Sequence, residues 1–219
     1  MSDPILEQSP LWYLASRPVP AKAAASCVRY WENALQGHIN LRGNASDPAF
    51  RESVARVLGT ALPTAPNTTS AGEHCTAYWL GPDEWLVVTP GEREAGFAAG
   101  LRKALEGIHA SVTEVSGGQT ILVLRGAAVR DLLAKGSPFD LHAPAFAPGA
   151  CAQTHLAKAA VLLRPLPDDG MEIIVRRSFA DYLWSWLEVA AAEYGLAPGA
   201  ERSSQGDGSS ARHDAVQVA

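Results

Sequence analysis

Between Thr76 and Thr89 the chain carries its strongest local instruction. Two runs, Thr76-Ala77-Tyr78-Trp79-Leu80 and Trp85-Leu86-Val87-Val88-Thr89, flank the short segment Gly81-Pro82-Asp83-Glu84. Aromatic and β-branched residues favour strands. Glycine adds backbone freedom, proline holds φ near about −65°, and aspartate can accept a backbone N–H within its own turn. The segment therefore predicts a tight β-hairpin with a tryptophan on each arm and Gly81, Pro82 and Asp83 as its structural turn. A fainter echo follows in the second half, where Pro167-Asp168-Asp169-Gly170 launches Met171-Glu172-Ile173-Ile174-Val175. Both units run on into an amphipathic helix, which hints at a duplicated β–α unit.

The rest of the chain extends this pattern. Cys27–Trp31 and His38–Gly43 read as short strands, the second alternating apolar and polar residues. Asp47-Pro48 opens a helix with aspartate as N-cap and proline in the first position. Phe50, Val54, Val57 and Leu58 form its apolar stripe, and Gly59 closes it. A second helix is expected over about 92–106. A second hairpin is expected from 109–115 and 119–125, turning at Ser116-Gly117-Gly118, followed by a helix over 126–135. Strands at about 150–157, 159–164 and 171–177 lead to a last helix, which a Ser178–Asp181 capping box should open. Its expected inward stripe is Phe179, Tyr182, Leu183, Trp186, Leu187, Ala190 and Tyr194, ending at Gly195.

The expected fold is α+β: antiparallel sheets with helices packed on one face, in repeated ββα units. Residues 1–25 read as an N-terminal arm and 26–196 as the domain, with two possible sub-lobes at about 26–108 and 109–196. Residues 197–219, rich in Ser, Gly, Asp and Arg, read as a disordered tail.

Charge narrows the class of partner. The 219 residues carry a net charge of −5, which disfavours nucleic acid and anionic membrane surfaces. No apolar run approaches the about 18 residues of a membrane span, and Met1–Glu7 lacks the pattern of a secretory leader. Three scattered cysteines (Cys27, Cys75, Cys151) suggest reduced thiols, so a cytoplasmic protein is expected.

Catalytic signatures are sparse. No Gly-x-Gly-x-x-Gly or P-loop pattern occurs, and the six histidines show no metal-ligand spacing. Cys151 with His155 is a weak nucleophile–base pair, because a lone cysteine in an apolar strand is usually a core residue. Asp83 and Glu84 point to opposite strand faces and cannot share a substrate. No catalytic, cofactor or metal residue is therefore assigned to this chain. Trp12, Trp85, Trp184, Arg176 and Arg177 remain as candidates for a partner interface, since tryptophan and arginine are enriched at interface hot spots.

An ordered set of segments resembles the gamma subunit family of heterotetrameric sarcosine oxidase. It comprises Ile39–Gly43, Leu62-Pro63 through Thr68, Leu80–Leu86, Gly118-Gln119-Thr120, Arg130–Gly136, Asp140-Leu141-His142, Cys151–Thr154 and Arg176–Trp184. The resemblance implies a fold similar to the folate-binding domain of aminomethyltransferases. It implies a non-catalytic subunit partnered by alpha, beta and delta chains, in a complex that oxidises sarcosine to glycine and yields 5,10-methylenetetrahydrofolate and hydrogen peroxide. FAD, FMN, NAD and tetrahydrofolate would then sit on partner subunits and none on this one. The alternative is a stand-alone folate-binding one-carbon transferase, which rests on the fold resemblance alone.

Overall fold

The computed structural model describes residues 7–16 and 27–199. The expected tail beyond Gly199 lies outside the described residues, as does much of the expected arm. Among the described residues eleven strands form two sheets. The first contains β2 (Gly37–Gly43), β3 (Thr69–Ala71), β4 (Thr76–Gly81), β5 (Glu84–Thr89) and β6 (Ala110–Glu114), in the order β3-β4-β5-β2-β6. The second contains β1 (Val28–Asn33), β7 (Gln119–Arg125), β8 (Ala152–Leu156), β9 (Ala159–Leu166), β10 (Gly170–Arg176) and β11 (Leu196–Pro198), in the order β11-β1-β7-β10-β9-β8. All pairings are antiparallel except that of β1 with β11.

Strand alternation sends each sheet's side chains to two different cores. On β5, Trp85 and Val87 face α1 (Pro48–Leu58) and α2 (Glu94–Ala104), joining Phe50, Val54, Leu58, Ala98 and Leu101. Leu86 and Val88 face the other way and meet Ile121, Val123, Leu162 and Ile174 of the second sheet. Beyond that sheet, Leu122, Leu124, Leu163 and Ile173 pack under α3 (Val129–Ala134) and α4 (Ala180–Ala190). The layers run helix, sheet, sheet, helix. This explains why Trp85–Val88, Ile121–Leu124 and Ile173–Val175 are continuous apolar runs: their strands are covered on both faces.

The duplication hinted at by the two Pro-Asp turns recurs in the topology. Each half runs strand, helix, three-stranded meander, helix, and the neighbour orders β3-β4-β5-β2 and β8-β9-β10-β7 correspond. The segments entering the two meanders pair antiparallel with each other. Thr69 N–H donates to Gly149 C=O at 2.8 Å, and Cys151 N–H to Asn67 C=O at 2.8 Å. Equivalent segments crossing in this way are the mark of an approximate two-fold axis, the self-complementary arrangement of an isologous contact.

Several expectations are corrected. The segments 109–115 and 119–125 do not form a hairpin: β6 pairs with β2, whereas β7 pairs with β1 and β10. The Ser116–Gly118 turn carries the chain from one sheet to the other. A division near residue 108 does not separate the sheets, because β1 belongs to the second and β6 to the first. The start of the expected tail is ordered: Leu196–Pro198 pairs with β1, and Ala197 is fully buried.

The helix ends show where local signals suffice. Asp47 accepts from Ala49 N–H at 2.9 Å, and Gly59 is left-handed at φ 69°, as expected of α1. At α4 the Ser178–Asp181 box does not form. A 3-10 turn over Arg177–Phe179 leads in, and Asp181 accepts instead from the Tyr13 hydroxyl. The inward face of α4 is Ala180, Leu183, Trp184 and Leu187, leaving Phe179, Tyr182 and Val189 exposed. Among the described residues, no helix is long and apolar enough to cross a membrane.

Candidate partner interface

The opening hairpin is built as its sequence dictates, but by different contacts. Pro82 and Asp83 connect β4 to β5, and Gly43 N–H donates to the Asp83 carbonyl at 3.1 Å. Gly81 has no left-handed backbone, so its glycine freedom is not used. The Asp83 carboxylate faces Arg42 at 3.7 Å; Glu84 meets the same guanidinium at 3.5 Å and accepts from Asn40 at 2.8 Å. These are half-exposed cross-strand pairs, worth up to about 1 kcal/mol each. The two acids, expected on opposite faces, thus share one guanidinium, and both are occupied in tying the ends of β2 and β5 together.

Trp85 and Trp184, expected as possible partner anchors, are both corrected. Trp85 is 0% exposed; its indole N–H donates to Pro63 C=O at 2.7 Å, and its ring lies 5.8 Å from that of Phe50. Trp184 is 2% exposed, and its ring lies 4.4 Å from that of Tyr30 of β1, tilted by 56°. Helical periodicity placed Trp186 inward because the stripe was centred too far round α4. The true centre is set by where the sheet lies, which α4's own sequence does not record. Trp186 is half-buried and packs over Gly136, where a Cβ would come within 2.4 Å of its ring.

Three expected interface residues do reach the surface. Trp12 is 56% exposed, while its neighbours Leu11 and Leu14 are buried in the core under α4. The Tyr13–Asp181 hydrogen bond joins this turn to the start of α4, where Phe179 and Tyr182 form an edge-to-face pair. Arg177 donates to Gln8 C=O at 2.7 Å and so ties down the same segment. Phe179 and Tyr182 were missed as surface residues because each fits a helical apolar stripe equally well. Arg176 lies at the rim of a cleft between the two sheets, about 450 Å³ in volume.

One buried constellation was not foreseen. Tyr78 of β4 donates its hydroxyl to Glu172 of β10, and Arg164 of β9 grips the same carboxylate with two N–H groups at 3.0 and 2.8 Å. The guanidinium also stacks 5.5 Å over the Tyr78 ring. Burial first, and then the Glu172 charge, push the Tyr78 hydroxyl well above its usual range. It stays protonated and bonded, a fixed link between the sheets rather than a general base. Its one sequence signal was Glu172 standing inside an otherwise apolar strand.

The remaining reactive candidates are quiet. Cys151 is buried with its thiol toward Thr68 C=O and Trp79 C=O, and burial pushes it up to about 11, so at neutral pH it is a thiol. His155 stands four residues along an extended strand, roughly 13 Å away at strand rise, and is exposed. His38 is buried, hydrogen-bonded through Nδ1 to Gln36 C=O at 2.9 Å, and lowered by burial toward the neutral form. Among the described residues no group of His, Cys, Asp and Glu is arranged to hold a metal ion.

Comparison with known proteins places this geometry. The model of the "Sarcosine oxidase, gamma subunit family" matches residues 42–193. The chain belongs to this family. A sarcosine oxidase subunit gamma from Corynebacterium sp. (strain P-1) is 31% identical over 194 residues, covering 88% of this chain and 94% of its relative. A chain of the heterotetrameric sarcosine oxidase of Corynebacterium sp. U-96, solved with pyrrole 2-carboxylate, superposes with a TM-score of 0.77 at 28% identity. That match covers 89% of this chain and 99% of the other. The aminomethyltransferase T of Bartonella henselae superposes with a TM-score of 0.58 at 13% identity over 83% of this chain and 59% of its own. That likeness shows the fold alone, and it is the aminomethyltransferase-like α+β fold expected.

Within this sarcosine oxidase gamma subunit family match lie both Pro-Asp turns, the Tyr78–Arg164–Glu172 link and the Arg176–Trp184 segment. Trp12, β1 and β11 lie outside it. The matched span thus contains the inter-sheet joint and the outward aromatic pair at the start of α4, but not the arm that packs beside them.

Proposed function

We propose that this chain is the gamma subunit of a heterotetrameric sarcosine oxidase, where it serves as a non-catalytic structural and assembly subunit. Family membership over most of the chain, with a TM-score of 0.77 to a chain of such a complex, carries the reading. It is supported by polar constellations that are spent internally and by an aromatic surface at the start of α4. Alpha, beta and delta chains are its partners in the cytoplasm. FAD, FMN, NAD and tetrahydrofolate reside on those partners. The assembled enzyme oxidatively demethylates sarcosine to glycine, with 5,10-methylenetetrahydrofolate and hydrogen peroxide as the other products.

Co-expression with the alpha, beta and delta chains tests this directly. The expected result is one flavin-bearing complex with sarcosine-dependent peroxide formation and this chain at unit stoichiometry. A fully active complex that forms equally well without this chain overturns the proposal.

A further inference from the structure

The cleft between the sheets has a chemistry that the fold does not need. Its floor is apolar, built from Leu80 and Leu86 of the first sheet and Leu162 and Ile174 of the second. Gln153 of β8 bridges the two sheets by donating to Leu80 C=O at 2.8 Å. Around the rim stand Arg176, His155 and Gln119, and no aspartate or glutamate lines the cleft, although the chain is acidic overall. Arg176 is exposed, and no described residue forms an ion pair or hydrogen bond with its guanidinium. Its neighbour Arg177, by contrast, is engaged with Gln8. The Gln119 Oε1 is buried and has no hydrogen-bond partner among the described residues.

We propose that this cleft is a docking site for a short acidic segment of a partner subunit. An apolar side chain of that segment rests on Leu80, Leu162 and Ile174, and a carboxylate next to it pairs with Arg176. The charge pattern decides the occupant: an apolar floor with a free guanidinium and no anion complements an apolar-plus-acidic sequence. β8, the edge strand of its sheet, contributes three consecutive lining residues, Gln153, Thr154 and His155, which suits an extended peptide laid along it. The inference rests on the assembly role proposed above and adds the place and chemistry of one contact.

The test uses the co-expressed complex. Arg176→Glu reverses the charge at the rim, Ala160→Trp fills the cleft from an exposed position on β9, and Arg51→Glu on α1 is the control. Thermal unfolding of each isolated chain confirms that folding is retained. Both cleft variants are expected to bind the partner chains about tenfold or more weakly, the scale of losing one side of a desolvated charge pair. The control should bind like wild type. If wild type itself does not assemble, the assembly role fails rather than this site. If wild type and both cleft variants assemble alike and the isolated chain does not bind benzoate, the site is overturned. Weakening by Ala160→Trp alone overturns the carboxylate partner. Saturable binding of benzoate to the isolated chain, with assembly unchanged in both variants, overturns the peptide occupant in favour of a small carboxylate.

Discussion

The two halves of the molecule share a strand order but treat their outer helices differently. In the first half, α1 and α2 bury Phe50, Val54, Leu58, Ala98 and Leu101, and neither helix leaves a large apolar side chain fully exposed. In the second half, α4 buries Leu183, Trp184 and Leu187 yet also exposes Tyr182 and Val189, with Phe179 in the turn before it and Trp12 in the nearby arm. The cleft with its free Arg176 is lined mainly by the second half as well. Duplicated topology thus supports two outcomes for the outer helices: in one half they are finished against solvent, in the other they carry apolar surface to spare. Exposed aromatic surface of this kind suits the partner contact proposed above.

The largest effects should come from what both halves bury. Trp85→Ala and Trp184→Ala are each expected to destabilise the isolated chain by about 3–5 kcal/mol in urea unfolding, the cost of truncating a buried aromatic. Similar values would confirm that neither tryptophan is a surface anchor; a loss under about 1 kcal/mol for Trp184→Ala would place it outside the core. Glu172→Ala, which strands Arg164 at the joint between the halves, belongs in the same range.

Titration gives a smaller effect. Burial lifts the Cys151 thiol from its ordinary value near 9 to about 11. Between those pH values the unfolded chain loses its proton while the folded chain keeps it. The contribution is therefore full below about 9 and is lost as pH rises through 11. Alkylation at pH 8 should label the exposed Cys27 and spare Cys151 and Cys75, which burial also raises. Rapid labelling of Cys151 in the native chain would contradict the packed inter-sheet core.

The smallest effect on stability, and the sharpest contrast, is expected at the surface. The double change Phe179→Ser, Tyr182→Ser should move the isolated chain's stability by about 0.5 kcal/mol per site or less. It should nevertheless reduce recovery of this chain with its partner subunits. Equal recovery would remove the difference drawn between the halves.

Legibility followed range. α1 was readable from Asp47 to Gly59, because its cap, proline and stripe all act within one helix. The β4–β5 hairpin was readable for the same reason, its partners being neighbours in sequence. The false hairpin at 109–125 had equally good turn residues at Ser116-Gly117-Gly118, but those residues specify a change of direction and not what lies alongside. Asp181 had the spacing of a capping box and was claimed instead by Tyr13, 168 residues away. The candidate interface divided on the same principle: Trp12, Arg176 and Arg177 emerged on the surface, whereas Trp85 and Trp184 were taken up by Phe50 and Tyr30.

By itself the sequence determined the α+β class, the positions of most strands and helices, the repeated Pro-Asp turn and the family. Each depends on local propensity, short-range capping or an ordered set of motifs. The tertiary structure alone decided which sheet each strand joins, which side of α4 faces inward, and that Tyr78, Arg164 and Glu172 meet. Periodicity reports that a face is apolar, but an apolar face carries no directional mark of its partner. Only packing two sheets back to back assigns one face to the helices, one to the opposite sheet, and leaves the remainder at the surface.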